Sequence, residues 1–175
     1  MAIVIRDANV QAFDDIASLA VAAYEEYAHA LTPENWTTMR TNLSQVAVLA
    51  KQGQLVVAQQ DSTLVGFVVY CPPGTSDRRL FPPEWASLRM LAVSPQQRGQ
   101  GIGRQLSLAC VHRAKHDRAD VVGLHTSELM VAARRMYERI GFQQECELPR
   151  SLGIRYWRYA LRLADDDWAD CNLAE

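Results

Sequence analysis

Three glycines at alternate positions, Gly99, Gly101 and Gly103, lie within Gln97-Arg98-Gly99-Gln100-Gly101-Ile102-Gly103-Arg104 and constrain this chain more than any other stretch. Upstream, Ser87 to Val93 reads as a strand, closed by Ser94-Pro95, because the residue before proline avoids the helical region and proline cannot donate to a central ladder. Downstream, Ile102, Leu106, Ala109 and Cys110 recur at helical spacing. A strand, a glycine turn and a helix together make an anion cradle. Glycine admits backbone angles that let successive N–H groups converge, and the helix N-terminus adds unpaired donors and the positive end of its dipole. A diphosphate suits such a cradle. Spacing excludes two fingerprints. The dinucleotide pattern needs glycine at relative positions one, three and six, where this chain offers Arg104 after Gly99 and Gly101, or Leu106 after Gly101 and Gly103. The nucleotide triphosphate loop needs Gly-Lys-Ser/Thr, and neither the lysine nor the hydroxyl stands at the matching place.

The rest of the chain alternates strand-like and helix-like segments without internal repeats. Ile3 to Arg6 reads as a first strand, and Ile16, Ala20, Ala23, Tyr24 and Tyr27 give an amphipathic helix from Phe13 to about His29. Pro33 opens a second helix, with Trp36, Met39, Leu43 and Val46 on its buried stripe and Gly53 at its end. Leu55 to Gln59 and Leu64 to Tyr70 read as a β-hairpin across Asp61-Ser62-Thr63. Cys71 to Pro83 carries four of the seven prolines and is expected to be a loop. At 175 residues, 49% apolar and 22% charged, the chain suits one domain with its own core. A net charge of −2 gives no overall attraction to nucleic acid or anionic lipid. Cys71, Cys110, Cys146 and Cys171 are dispersed, with no Cys-x-x-Cys pair, which fits neither a disulfide framework nor a zinc knuckle. No signal peptide precedes them, and no apolar run approaches the roughly 18 residues of a membrane helix. A cytoplasmic protein, off the membrane, is the expectation.

Arg98-Gly99-Gln100-Gly101-Ile102-Gly103, preceded by Leu91-Ala92-Val93-Ser94-Pro95, resembles the first signature of the GCN5-related N-acetyltransferase (GNAT) family. The strand Val121 to Thr126 follows, and then Ala133-Arg134-Arg135-Met136-Tyr137-Glu138-Arg139-Ile140-Gly141-Phe142 is similar to its second signature, which ends in Tyr-Glu-x-x-Gly-Phe. The resemblance is close over Glu84 to Phe142 and holds in pattern alone over the N-terminal third. It implies an α/β GNAT fold: a mixed, mostly antiparallel, twisted sheet of roughly seven strands flanked by roughly four helices. It also implies one acetyltransferase domain over 1–163, with 164–175 an acidic tail carrying Asp165-Asp166-Asp167.

Residue by residue, the resemblance implies that backbone N–H groups of Arg98, Gly99, Gln100, Gly101, Ile102, Gly103 and Arg104 hold the pyrophosphate of acetyl-coenzyme A (acetyl-CoA). The main chain of Leu91, Ala92 and Val93 would pair with the pantetheine arm by strand addition, where two strands splay apart. Tyr137 would act as general acid to the departing thiolate. Independently, Ala133, Met136, Tyr137 and Ile140 fall on one buried helical stripe, on which a phenol needs a hydrogen-bond partner. Two positions depart from the common pattern. Met130 stands where many members carry an asparagine, leaving its main chain to contact the cofactor, and Arg89 stands where many carry a glutamate base. The base is unassigned among Glu84, His125 and a water chain.

The acceptor is expected to be the amine of a small molecule or peptide. Arg78, Arg79 and Arg150 hint at an acidic acceptor, whereas Glu25, Glu26, Tyr27 and His29 hint at a cationic one. His112 and His116, four apart on a helix, lack a third ligand, so no metal is expected. Family habit leaves a homodimer through the last strands, with Trp168 docking the tail, as an open option. A catalytically weak acyl-CoA binding module is the alternative to an active enzyme.

Overall fold

Residues 2–163 are described by the computed structural model. The acidic segment and Trp168 lie outside the described residues. The strands are β1 (Ile3–Asp7), β2 (Gln54–Gln60), β3 (Thr63–Cys71), β4 (Ala86–Val93), β5 (Val121–Ser127), β6 (Gln143–Ser151) and β7 (Ile154–Arg162). They form one open sheet in the order β1-β2-β3-β4-β5-β7-β6. Only β4 and β5 run parallel; every other neighbouring pair is antiparallel. The mixed, seven-stranded sheet that the resemblance implies is therefore present.

Five α-helices, α1 (Phe13–Tyr24), α2 (Pro33–Ser44), α3 (Val46–Gln52), α4 (Ile102–His116) and α5 (Val131–Ile140), cover the two faces. The expected second helix is divided at Gln45. In α2 the hydroxyls of Thr37, Thr38, Thr41 and Ser44 each donate to the carbonyl four residues back, a competing bond that weakens and bends helices. The chain restarts after Gln45, burying Val46 and Leu49 of α3 alongside Met39 and Leu43 of α2. The expected first helix is also shorter. From Glu25 to Ala30 it tightens into a 3₁₀ turn, whose three-residue repeat aligns Tyr24 with Tyr27, their rings 5.8 Å apart and edge to face.

Strand alternation divides the core in two. Val56, Val68, Leu88, Leu124 and Tyr159 face α4 and α5, while Val57, Phe67, Val69, Cys71 and Ala92 face α1, α2 and α3. Along β5 and β7 the second face is instead covered by the proline-rich loop. Phe81 approaches so closely that a Cβ on Gly123 would lie 2.6 Å from its ring, so only glycine fits there.

One irregularity positions everything that follows. Between the pairs Phe67–Ala92 and Val69–Arg89, β4 advances one residue more than β3, and Met90 takes φ +59°, the geometry of a β-bulge. On its other side β4 meets β5 only at Ala86–Val122 and Ser87–Gly123. Beyond Ser87 the two strands part.

Candidate active site

The wedge between β4 and β5 opens onto the glycine turn. Gly99 (φ +80°) and Gly101 (φ +77°) are left-handed, and a Cβ on either would meet nothing within 4 Å. They are required for backbone angle and not for space, because a side chain in that region costs roughly 1–2 kcal/mol. Gly101 is the N-cap of α4, whose first i→i−4 bond runs from Gln105 N–H to the Gly101 carbonyl at 3.0 Å. The first-turn N–H groups thus have no acceptor within the helix and point along its dipole into the wedge.

A cavity of about 490 Å³ lies there. One wall is Leu91, Ala92 and Val93 of β4, another the turn from Gln97 to Arg104, and a third Met130, Ala133 and Met136 from the start of α5. Tyr24, Glu26 and Tyr27 close it from the first helix and its 3₁₀ turn. The sequence-nominated residues Leu91, Ala92, Val93, Arg98, Gly99, Gly101, Ile102, Gly103, Arg104 and Met130 are therefore brought together on one cavity. Gln100 is not on its wall; its amide is turned to Gln97 Oε1 at 2.8 Å on the exposed side of the turn. Arg98 straps the turn to the first helix, donating to Glu26 Oε1 and to the Ala23 carbonyl, each at 2.7 Å.

Tyr137, also nominated from the sequence, is not on the cavity wall but in the core that α5 shares with α4. It is 5% exposed, packs edge to face on Phe142 at 5.8 Å, and has no hydrogen-bond partner among the described residues. Burial, followed by the fields of Tyr24, Cys110 and Tyr27, pushes its pKa far above the ordinary phenol value. The phenol is protonated at every physiological pH, an always-loaded donor in need of an acceptor.

The opposite face of the wedge carries a second polar group. Arg89 on β4 and His125 and Ser127 on β5 share the face of Ser87 and Gly123, by strand alternation and the pairing of Ser87 with Gly123. Burial, and then Arg89, lowers the His125 pKa to about 4, so its imidazole is neutral at pH 7. Glu84, the other nominated base, is exposed in the turn before β4, at the closed end of the wedge. The arginines that hinted at an acidic acceptor are elsewhere: Arg78 and Arg79 are exposed, the latter bound to Asp77, and Arg150 turns to the Gly153 carbonyl. His116 is exposed beside Asp117, and no group of three or more metal-ligating side chains occurs among the described residues. Sequence reasoning missed Tyr24 as a site residue: its hydroxyl donates to the Leu91 carbonyl, a contact that helical spacing alone does not announce.

Comparison with known proteins places this geometry. The family model described as the acetyltransferase (GNAT) family matches residues 13–142. Mycothiol acetyltransferase of Thermobispora bispora is 33% identical over 89 residues, 49% of this chain and 28% of that protein. N-acetyltransferase 8F1 of Rattus norvegicus is 31% identical over 113 residues, 62% of this chain and 48% of that protein. The chain thus spans less than half the length of either relative. Among solved structures, the PaiA N-acetyltransferase of Thermoplasma acidophilum in complex with coenzyme A superposes with a TM-score of 0.72 at 18% identity, covering 90% of this chain and 98% of that one. A GNAT family acetyltransferase of Brucella melitensis in complex with acetyl-CoA gives 0.63 at 19% identity, covering 93% and 89%. With the matched model spanning both glycine turn and Tyr137, and the same fold in these structures, this chain belongs to the acetyltransferase (GNAT) family.

Proposed function

We propose that this chain is an N-acetyltransferase that moves the acetyl group of acetyl-CoA to the amine of a small molecule or peptide. The observation that carries the reading is the wedge: a strand edge, Leu88 to Val93, left without a β5 partner and leading to two left-handed glycines at a helix N-terminus. The residues present fit the cofactor. Backbone donors from Arg98 to Arg104, with the dipole of α4, suit a diphosphate, and the unpaired β4 edge suits an amide-bearing arm added as a strand. When bound, acetyl-CoA supplies an acetyl thioester already activated toward amines. Met130, Ala133 and Met136 give an apolar wall that keeps water from that group. Tyr137 holds a proton on Oη and would serve as general acid to the thiolate that leaves when acetyl-CoA is bound. The amine enters from the opposite face, past Tyr24 and Tyr27.

His125 is neutral and retains a lone pair, but an imidazole with so low a pKa takes a proton from an ammonium poorly. We therefore assign no side-chain base. We read 1–163 as one catalytic domain acting in the cytoplasm, in keeping with the free thiols of Cys71, Cys110 and Cys146. Thiol release from acetyl-CoA with a panel of amines, amino acids and peptides tests the proposal. Acceptor-dependent release supports it; cofactor binding without release on any acceptor favours a binding module, and failure to bind acetyl-CoA defeats both.

A further inference from the structure

The β4/β5 face turned away from α4 and α5 holds polar atoms that the cofactor reading does not use. Arg89 Nε, His125 Nδ1 and Ser127 Oγ are all buried, and none has a hydrogen-bond partner among the described residues. They sit on the two strands that part at the wedge, Arg89 on β4 and the other two on β5. Their proximity is also electrostatic: Arg89 acts on His125, on Tyr24 and on Asp77. The His125 ring in turn packs, tilted, beside Tyr156 at 5.8 Å and Phe81 at 6.3 Å between ring centres.

Arg89 is the telling member. Its Nη1 donates to Gln52 Oε1 at 3.2 Å, a neutral acceptor, and no carboxylate pairs with it among the described residues. Asp77, the acid whose field it feels, is already taken by Arg79 through Nε at 3.1 Å and Nη2 at 2.8 Å. Two further arginines of this face, Arg158 and Arg162 of β7, are both held by Glu145 at 3.1 Å, and Arg158 also donates to the Leu80 carbonyl at 3.1 Å. A guanidinium with a buried, unsatisfied N–H is costly, and the group that relieves the cost best is a carboxylate, which matches its planar fork. One unneutralised arginine calls for one negative charge.

We propose that Arg89 receives a carboxylate of the acceptor, so that the amine acetylated here belongs to an amino acid or a like molecule carrying both groups. The proposal rests on the acetyltransferase reading and narrows its substrate class. His125 Nδ1 and Ser127 Oγ, across the wedge, are left to hydrogen-bond the remainder of the acceptor beside the thioester.

The test uses product-like probes, so that it does not depend on turnover. The protein is first titrated with coenzyme A, then, loaded with it, titrated calorimetrically with N-acetyl derivatives of the common amino acids, each as free acid and as amide. In the unaltered protein at least one acid should bind roughly tenfold or more tightly than its amide, the scale of a charge-assisted pair to a half-buried arginine. Arg89→Gln should remove that preference while retaining coenzyme A affinity, which doubles as the check on folding, and Arg89→Lys should restore part of it. Acids and amides that bind alike, including pairs that do not bind at all, overturn the proposal, as does a preference that survives Arg89→Gln. Failure of coenzyme A itself to bind appears in the first titration and overturns the acetyltransferase reading instead.

Discussion

The hydroxyl of Tyr24, at the end of α1, donates to the carbonyl oxygen of Leu91 on β4 at 3.2 Å, joining residues 67 positions apart. It meets β4 one residue past the bulged Met90, and so ties the first helix to the lip of the wedge. Arg98 makes the second tie, through Ala23 and Glu26. The wall above the cavity is thus held to its floor at two points.

Removing the first tie has a measurable cost. Tyr24→Phe keeps the ring packing and deletes one hydrogen bond, so unfolding in urea should require about 1 kcal/mol less free energy. A variant as stable as the parent would mean that the Leu91 carbonyl gains nothing from Tyr24.

Tyr137→Phe should lower kcat by roughly 10²-fold, or about 2.7 kcal/mol of barrier, with little change in KM for acetyl-CoA. Because burial raises its pKa, the phenol keeps its proton well past the ordinary value, and the parent's pH–rate profile should have no falling limb from this group below pH ~10. Steady-state thiol release across pH checks both; unchanged turnover with acyl transfer rate-limiting would reduce Tyr137 to packing.

The glycines of the cradle should separate by backbone angle. Gly101→Ala, at φ +77° with open space around the new methyl, should lose roughly 1 kcal/mol of stability through strain alone and weaken coenzyme A binding. Gly103→Ala, inside the first turn of α4, would place its Cβ 3.4 Å from Met136 Sδ, a tolerable contact, and should be no less stable than the parent. Denaturation of the two variants side by side decides the matter, and equal losses would contradict it.

His125 should shape acid stability. Its folded pKa of about 4 lies below the ordinary 6.5, so the unfolded chain binds a proton that the folded one refuses. The resulting stability is complete above pH ~6.5 and is lost as pH falls toward 4, by about 3 kcal/mol in all. In His125→Phe that part of the fall should disappear, which urea titrations at pH 7, 5 and 4 would reveal; curves that remain parallel in the two proteins would refute it.

Much of this site was legible because its signals are local. The glycine turn depends on φ angles and helix donors contributed by neighbours in the chain, and Tyr137 on a stripe repeating within one helix, so residue types and spacing suffice. The shortening of α1 and the break at Gln45 were less legible. Apolar periodicity runs through both places, while the 3₁₀ turn and the back-bonded hydroxyls that end the helices respond to finer competition between backbone and side chain.

Arg89 marks the boundary between the two kinds of information. In the sequence it is only a departure from a common pattern, and the arginines that hinted at an acidic acceptor were Arg78, Arg79 and Arg150 instead. Local chemistry by itself determined the family, the cradle and the order of elements. Tertiary structure alone decided that β4 bulges at Met90 and leaves β5, that Tyr24 reaches Leu91, and that half-buried Arg89 keeps a buried Nε with no partner among the described residues. These outcomes depend on which distant segments exclude water from a given atom, and burial of that kind is set by the assembled sheet and not by the neighbours of a residue in the chain.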